Sequence, residues 1–409
     1  MNAAAIARSW LTTRLAMAQE TQGLAARRAR LWRAFQPVMR RTPALAAHAG
    51  ASLDRVPISE VAELRADYGR WNSRGLSHAE LHAAAADAER GGSGEVRQGV
   101  VCGYSTGSGG ARGLFVADEG ERADYIGQIF ARLLPARAVF TPMRVALMLR
   151  ANSRLYSDSA GAGRAFLHLP LETSAHDAAV ALERFGPTIL IAPGSRLTGL
   201  LDHTPRLPAL QRLFYGAEPT SGAERAWIHD RFGLRADPIY QATEGFVGAA
   251  CAEGRLHLNE HSLSIELEPV AGTQGYRPIV TDLRRRTQPI VRVRTDDYLE
   301  LDPAPCGCGY AGRAVRPIMG RVTDIWRYGD ITVTPPRLVA CMDAIVPAPV
   351  AWQALARRDH VELRVGRGGW TPTVAGALRR GLDLPVPVRL SDTPPLRDGP
   401  KRQWMVGRG

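Results

Sequence analysis

Residues 100–113 read VVCGYSTGSGGARG, a short apolar segment followed by a loop rich in glycine, serine and threonine. Glycines let consecutive backbone N–H groups turn toward an anion, the hydroxyls add donors, and Arg112 supplies a positive charge. The loop lacks the spacing and the lysine of a Walker loop. The stretch therefore predicts a strand that ends in a phosphate-binding loop. A flexible surface loop is the alternative.

Short apolar runs alternate with helical segments on both sides of this stretch. Helices are predicted over most of residues 1–92 and over 119–134, 177–185 and 221–232, and strands over 145–149, 188–192, 213–215 and 238–240. Residues 257–301 then read as strand after strand with turns between them. This alternation predicts an α/β fold. We expect a large domain of mixed sheets and helices over residues 1–320 and a small α+β domain over 321–409.

The charge of the chain favours anionic partners. Its 409 residues carry a net charge of +12, with 45% hydrophobic and 22% charged residues, as in ordinary folded proteins. Nucleotides, coenzyme A, nucleic acids and acidic membranes are all compatible with such a charge. The arginines are scattered along the chain and form no basic tail, which disfavours nucleic acid as the partner.

The cysteine count and the N-terminal segment indicate a cytoplasmic protein. The chain has five cysteines, an odd number without the density of a disulfide scaffold. Residues 3–41 alternate apolar and basic residues at helical spacing and predict one amphipathic helix, although a transit peptide would look similar. No run approaches the ~20 apolar residues that span a bilayer.

Two further segments have residue types that suit a nucleotide. In Tyr240-Gln241-Ala242-Thr243-Glu244, a hydroxyl and a carboxylate at a strand end could hold a phosphate oxygen and Mg²⁺ together. Upstream, Gly216-Ala217-Glu218-Pro219 could offer a flat backbone surface to an adenine ring. An ordinary strand end and a simple β–α turn are the alternatives.

Three later positions complete the pattern. Asp297 follows an alternating Arg-x-Arg strand and could accept both hydroxyls of a ribose, or belong to a solvated hairpin. Gly320-Arg321 at the proposed domain boundary could form a hinge, or an ordinary polar turn. Lys401 is the single lysine among 52 lysine and arginine residues. An ammonium is a compact point charge that a planar guanidinium does not replace in a tight anionic centre, so Lys401 is a candidate catalytic cation. A residual codon in an arginine-rich sequence is the alternative.

Cysteine and histidine residues form a candidate metal site. Three thiolates and one imidazole satisfy tetrahedral zinc, and four protein ligands make such a site structural. The candidate ligands are Cys251, His257, Cys306 and Cys308. Unligated cysteines beside a surface histidine are the alternative. Cys102 and Cys341 are expected in the core.

Taken in this order, the motifs resemble the adenylate-forming superfamily, and most of all its phenylacetate-CoA ligase branch. The resemblance spans nearly the whole chain and is closest over residues 104–116, 240–260 and 287–297. Within that branch, the chain looks similar to a subgroup related to the deazaflavin-cofactor synthetases. Related members of the branch carry a metal at the cysteine-histidine position.

The resemblance implies that ATP and Mg²⁺ activate a carboxylic acid as an acyl-adenylate, which then passes to coenzyme A or a carrier-protein thiol. By position, Thr243 and Glu244 would act at the α-phosphate, with Glu244 on Mg²⁺, and a small mobile domain would deliver Lys401. The residues implied in nucleotide binding are Ser105, Thr106, Gly107, Ser108, Gly109, Gly110, Arg112, Gly216, Ala217, Glu218, Pro219, Tyr240, Asp297 and Arg321. Zn²⁺ is implied as a further, structural metal.

The resemblance also implies a small aromatic acid, with a pocket formed by Tyr104, Phe140, His168, Tyr215 and Phe246. The chain departs from the family pattern at Thr323, where an acidic hinge residue is usual, and at Val293, where a tyrosine is usual. These departures bear on the second half-reaction more than on the nucleotide site. We expect a monomer or a homodimer with no membrane or nucleic-acid partner.

Three alternatives remain open at this point. The acceptor could be an amine instead of a thiol. The product could keep AMP, as in the deazaflavin synthetases. The chain could also be an arginine-rich, zinc-stabilised nucleic-acid-binding protein, although that reading explains neither the glycine-hydroxyl loop nor the solitary lysine.

Overall fold

The computed structural model describes residues 2–105, 112–137, 141–148, 164–203, 206–366, 372–395 and 404–407. Within these ranges the chain forms an eight-stranded sheet, two four-stranded sheets, a three-stranded sheet and a two-stranded sheet, with helices packed against them. No helix in the described part of the chain combines the length and the apolar character that crossing a membrane requires.

The N-terminal region is helical, as predicted, with α1 (Ala3–Met17), α2 (Thr21–Arg41), α3 (Val61–Ala66) and α4 (His78–Glu89). The prediction of one helix over residues 3–41 is wrong, because the helix ends at Met17 and restarts at Thr21. Helix α1 buries Ile6 in one cluster, whereas α2 buries Phe35 in another. The two faces pack on different partners, so the chain turns between them. No glycine or proline marks this turn in the sequence.

Strands β2 (Glu95–Arg97), β3 (Val100–Tyr104) and β4 (Leu114–Asp118) form an antiparallel sheet, which confirms the strand predicted before the glycine-rich loop. Helix α5 (Glu119–Leu133) follows directly. A reciprocal capping box fixes its first turn, since Asp118 accepts from the backbone of Glu121 while the Glu121 carboxylate accepts from the backbone of Asp118.

The eight-stranded sheet has the order β15-β11-β10-β9-β8-β7-β5-β6. Its strands are β5 (Met143–Met148), β6 (Arg164–Leu169), β7 (Ile189–Ala192), β8 (Arg212–Tyr215), β9 (Ala236–Ala242), β10 (Gly245–Ala250), β11 (Leu256–Leu258) and β15 (Ala314–Val315). Strands β5 to β9 pair in parallel, and β9, β10, β11 and β15 pair antiparallel. The strands predicted between residues 145 and 240 are confirmed.

Helices cover both faces of this sheet. One face packs on α6 (Ala175–Phe185), α7 (Gly194–Leu201) and α8 (Gly222–Phe232). The other face packs on α1 and α5. A four-stranded sheet of β1 (Ser59–Glu60), β14 (Ile290–Arg294), β13 (Tyr276–Asp282) and β12 (Leu263–Pro269) carries the Arg-x-Arg strand.

The C-terminal region has a hydrophobic cluster of its own, which includes Trp326, Trp352 and Trp404. Its elements are β16 (Trp326–Tyr328), β17 (Ile331–Val333), α9 (Pro335–Asp343), β18 (Trp352–Ala356), β19 (Val361–Val365), α10 (Pro372–Gly381), β20 (Val388–Ser391) and β21 (Met405–Val406). The boundary between residues 320 and 321 remains a prediction.

Candidate active site

One cavity of about 550 Å³ collects most of the predicted site residues. Those that line it are Ser105, Arg112, Gly216, Ala217, Glu218, Pro219, Tyr240, Thr243, Glu244, Asp297 and Arg321. Trp404 and Met405, close to the C-terminus, also line it. Thr106, Gly107, Ser108, Gly109, Gly110, Phe140 and Lys401 lie outside the described residues. Segments far apart in sequence thus form one site.

The two ends of the glycine-rich loop are joined by hydrogen bonds. The backbone N–H of Ser105 donates to the carbonyl of Gly113 over 2.7 Å, and the N–H of Gly113 donates to Ser105 Oγ over 3.1 Å. A β-carbon at Gly113 would lie 2.8 Å from Thr243 Cγ2 and 2.9 Å from Thr243 Oγ1. The loop base therefore packs directly on the segment that carries Thr243 and Glu244.

Arg112 is held at the cavity edge by α4 and β3. Its guanidinium pairs with the carboxylate of Glu89 and lies 4.5 Å from the ring centroid of Tyr104. The Tyr104 hydroxyl is 2.9 Å from His82 Nδ1. Sequence reasoning missed Glu89 and His82, because nothing in the helical pattern of residues 78–90 pointed to the loop. A phosphate group that binds the Arg112 guanidinium would therefore interact with a cation that is already paired with the Glu89 carboxylate.

Thr243 and Glu244 form the turn between β9 and β10. Glu244 is only 8% exposed, and this burial raises the pKa of its carboxyl group. Asp297 adds to the rise, whereas Arg285 opposes it. Arg285 also donates to the backbone carbonyl of Thr243. A buried carboxylate with incomplete charge compensation suits a bound cation.

Tyr240 and Asp297 both line the cavity and are in direct contact. The Tyr240 hydroxyl donates to Asp297 Oδ2 over 2.5 Å. Burial, reinforced by the Asp297 charge, raises the pKa of Tyr240 well above its usual value, so Tyr240 remains a donor. Asp297 also forms an isolated antiparallel β-bridge with Arg321. The proposed ribose-binding residue is thereby linked to the proposed hinge.

The hinge segment bonds to the same strand end. Thr323 Oγ1 donates to Asp296 Oδ2 over 2.5 Å, and the N–H of Val322 donates to the carbonyl of Asp296 over 2.8 Å. An acidic residue at position 323 would face the carboxylate of Asp296. Thr323 instead provides a hydroxyl that donates to Asp296.

The predicted adenine-binding segment, residues 216–219, directly follows β8. Ala217 has φ of 69°, in the left-handed region that non-glycine residues rarely occupy. A β-carbon at Gly216 would approach the Ile239 carbonyl to 3.1 Å, so this backbone lies flat on β9. Glu218 turns away from this backbone surface, and its carboxylate accepts from the N–H of Ser195 in the first turn of α7 over 2.6 Å.

The other half of the cavity is apolar. Of the predicted pocket residues, Tyr104, Tyr215 and Phe246 line the cavity, although Tyr215 packs in the hydrophobic cluster on the α6–α8 face of the sheet. The prediction for His168 is wrong, since the described lining residues of β6 include Phe166 but not His168. Sequence reasoning also missed the contribution of α5, whose Tyr125 hydroxyl donates to Gln241 Oε1 over 2.9 Å. The amphipathic pattern of residues 119–134 was a signal for this face.

Cys251, His257, Cys306 and Cys308 converge, with ligand atoms within 4.8 Å of one another. The Sγ atoms of Cys251 and Cys306 are 3.6 Å apart, and Cys308 Sγ is 3.6 Å from His257 Nε2. His257 Nδ1 lies 2.6 Å from the carbonyl of Gly312, a contact that makes Nδ1 the donor and leaves Nε2 free to bind a metal. The donor set and its orientation fit tetrahedral zinc.

The sequence comparison finds a ligase. Over 177 residues the chain is 28% identical to the phenylacetate-coenzyme A ligase of Thermus thermophilus, a match that covers 40% of each protein. The chain thus matches less than two thirds of that relative's length. No protein-family model matches the chain.

Comparison with solved structures shows the fold. The chain resembles 2-hydroxyisobutyryl-CoA ligase in the postadenylation state, with a TM-score of 0.63 and 11% identity over 92% of this chain and 87% of that one. It also resembles an anthranilate CoA ligase in complex with anthranoyl-AMP, with a TM-score of 0.51 and 12% identity over 74% of this chain and 65% of that one. These likenesses confirm the predicted α/β class with a smaller second domain. The predicted resemblance to the phenylacetate-CoA ligase branch is confirmed by the sequence match together with this fold.

Proposed function

We propose that this chain, which has the adenylate-forming ligase fold and is related in sequence to phenylacetate-CoA ligase, activates a carboxylic acid with ATP. The carboxylate attacks the α-phosphorus, pyrophosphate leaves, and the acyl-adenylate then passes its acyl group to coenzyme A or another thiol while AMP is released. One observation carries the proposal. A single cavity joins a polar wall of nucleotide-type residues to an apolar wall that suits the rest of an acid.

The polar wall has a group for each part of ATP. The glycine-rich loop and Arg112 would bind the outer phosphates, residues 216–219 would flank the adenine, and Asp297 would accept the ribose hydroxyls with Tyr240 orienting its carboxylate. Arg321 would support the ribose side through its bridge to Asp297. The assignment is supported by the described members of this set, which line one cavity.

Thr243 and Glu244 would act at the α-phosphate. Thr243 offers a hydroxyl, and Glu244 offers a carboxylate that is costly to ionise in its buried position. A divalent cation between Glu244 and the phosphates would offset that cost. Magnesium, when bound, would neutralise charge on the phosphates during the displacement.

Lys401 would stabilise the negative charge that develops between carboxylate and α-phosphate. Preorganised charge is the main catalytic contribution in this type of transfer. Trp404 and Met405, which follow Lys401 closely in the sequence, line the cavity, and this supports the role. Trp404 stacks on Trp352 with centroids 5.3 Å apart and planes at 10°, which anchors this end of the chain in the C-terminal cluster.

The second step would use a thiol and a rotation of the smaller domain. Arg321 would be the pivot, and the Thr323–Asp296 hydrogen bond would have to exchange as the domain turns. Zinc at the cysteine-histidine cluster would be structural. Its four ligands leave no open position for chemistry, and their convergence on one point supports metal binding.

An aromatic acid is the class that the family branch favours. Tyr125 and Phe246 give the cavity an aromatic lining, which supports this assignment. The anthranilate CoA ligase that shares the fold was solved with anthranoyl-AMP, an aryl-adenylate. An apolar ring would lie inward from Thr243, along Phe246.

ATP–pyrophosphate exchange tests the proposal directly. Purified protein with ATP, MgCl₂ and labelled pyrophosphate should exchange label only when a suitable acid is present, across a panel of benzoates, cinnamates, arylacetates and fatty acids. An enzyme that leaves AMP on its product would need no acid for this exchange. A nucleic-acid-binding protein would be indifferent to ATP and would bind with an affinity that falls steeply with salt. Either result would contradict the proposal.

A further inference from the structure

The apolar half of the cavity is a long channel between α5 and one face of the eight-stranded sheet. Its inner end is a row of three residues on neighbouring strands, since Val145 of β5 is paired with Phe166 of β6 and with Ile189 of β7. All three line the cavity. The channel therefore reaches deep along the strands instead of ending beside Phe246.

The register of the sheet gives the length of the channel. Ile191 pairs with Phe214, and Tyr215 pairs with Pro238, so Gln241 lies six residues beyond Ile189 along the strand direction. At about 3.3 Å per residue, this is roughly 20 Å.

Helix α5 forms the opposite wall, which is shorter. It runs from Tyr125, which bonds to Gln241, to Leu133 at the inner end. At 1.5 Å per residue this is about 12 Å. Both walls extend well past a single aromatic ring.

Unfilled space remains along this channel. Ile129, Val145, Phe166, Ile191 and Ile239 lie between the helix and the sheet, where core residues are normally fully buried, yet each is only partly buried. All five line the cavity. Covering their remaining exposed surface with an apolar ligand would remove it from water, which favours binding.

The walls of the inner channel are uncharged. The described lining residues from strands β5 to β8, and from α5 beyond Gln128, carry no ionisable carboxylate or basic group. Arg164, whose guanidinium lies 5.4 Å from the ring centroid of Phe130, is close to this end but does not line the cavity. A charged substituent among the lining residues would lose its hydration, whereas a hydrocarbon would not. Charged and polar groups such as Asp124, Asp282 and Arg285 are found at the other end, near Thr243.

We propose that the acid activated at this site has an extended, uncharged hydrocarbon tail, longer than one aromatic ring, that reaches the Val145–Phe166–Ile189 row. The inference rests on the proposed function, because it takes the carboxylate to lie beside Thr243. An unbranched fatty acid of medium length and an aryl acid with an alkyl substituent share this chemistry. Benzoate would leave the inner row uncovered.

The test measures kcat/KM for acid-dependent pyrophosphate exchange in two series. One series runs through butanoate, hexanoate, octanoate and decanoate, and the other through benzoate, 4-butylbenzoate and 4-hexylbenzoate. Full burial of a methylene is worth about 0.8 kcal/mol, so kcat/KM should rise up to fourfold per added carbon until the inner row is reached. The series that gives the higher maximum identifies the source of the tail.

Substitutions at Val145 should move the preferred length in opposite directions. Val145→Phe shortens the channel and should shift the optimum toward shorter acids by several carbons, whereas Val145→Ala should shift it toward longer ones. Val180→Phe is the matched control, because Val180 is exposed on α6, outside the cavity lining. The control should keep the profile of the unsubstituted protein, and thermal unfolding should verify that each variant is folded.

The outcomes separate this inference from the proposed function. If butanoate and benzoate exchange as fast as the longer acids, the tail site is wrong and the ligase proposal stands. If no acid supports exchange, the ligase proposal fails, and calorimetric titration with decanoate and butanoate decides the tail site. The tail site is supported if decanoate binds at least tenfold more tightly than butanoate and if Val145→Phe loses this difference. Equal binding of the two acids overturns it.

Discussion

Gly113 and Thr243 are in such close contact that no side chain fits between them. A β-carbon on Gly113 would lie 2.8 Å from Thr243 Cγ2, a separation that real β-carbons essentially never show. The contact connects the base of the glycine-rich loop to the turn that carries Glu244. Phosphate groups and metal would thus be held by two segments that pack directly against each other.

Replacing Gly113 by alanine should separate these two segments. A displacement of about 1 Å at a reacting centre can cost a hundredfold in rate, so Gly113→Ala should reduce acid-dependent exchange by about that factor. Gly199→Ala is the matched control, since a β-carbon at Gly199 in α7 meets nothing within 4 Å. Steady-state exchange rates of the two variants check this, and equal rates would contradict the role of the contact.

Removing the Tyr240 hydroxyl should weaken ATP binding. The hydroxyl donates to Asp297 over 2.5 Å, and a hydrogen bond to a charged group contributes about 1.5–3 kcal/mol. We expect Tyr240→Phe to raise KM for ATP by roughly tenfold or more, with a smaller change in kcat. Tyr328→Phe, which removes a long 3.5 Å contact in the C-terminal cluster, serves as control. An unchanged KM in Tyr240→Phe would show that Asp297 needs no orientation.

Asp282 should make stability depend on pH. Burial raises its pKa from an ordinary 3.8 to about 6, with Arg285 opposing the rise. The unfolded chain thus releases this proton at lower pH than the folded chain, so the wild-type protein loses stability as pH rises from about 4 to 6. The shift corresponds to at most about 3 kcal/mol.

Asp282→Asn lacks this titration and keeps an oxygen to accept from the N–H of Arg284. The free energy of unfolding of the variant should rise relative to that of the wild type between pH 4 and 6. Above pH 6 the difference between the two proteins should stay constant. Denaturant unfolding of both proteins at several pH values measures it. A stability difference that stays constant from pH 3.5 to 7 would refute the burial argument.

Zinc content should depend on the cysteine-histidine cluster. Elemental analysis of the purified protein should find about one zinc per chain, and Cys306→Ser should lose most of it and unfold at a lower temperature, because structural zinc contributes to folding free energy. Cys341→Ser, outside the cluster, should keep its zinc. Zinc-free wild-type protein with unchanged stability in chelator would exclude a structural metal.

Local sequence was enough to predict those parts of the fold that depend on local signals. The strand before the glycine-rich loop, the parallel strands and the helices between them follow from periodicity and turn residues. The order of the motifs, through the family resemblance, predicted one nucleotide site formed by residues near 105, 216, 243, 297 and 321. No single motif was enough for this prediction. The cysteine-histidine cluster was predicted from residue types and the family resemblance, and its four residues do converge.

Features set by tertiary packing could not be predicted. The break between α1 and α2 arises from two different packing partners, and no breaker residue marks it. The pairing of Arg112 with Glu89 joins residues whose charges gave no hint of each other. His168 was chosen for its chemistry, but position in the strand decides exposure, and Phe166 lines the cavity instead. The long inner channel depends on the register between strands, which the sequence does not encode locally.

The most direct test of the account is pyrophosphate exchange by Lys401→Arg, beside Arg402→Lys as a neighbouring cation exchange. A guanidinium keeps the charge but not the compact geometry. Exchange by Lys401→Arg should fall about a hundred- to thousandfold, the cost of losing one preorganised contact, while the Kd for ATP changes little. Arg402→Lys should remain near wild type. Near wild-type exchange by Lys401→Arg would contradict the central claim that a single compact cation drives adenylation.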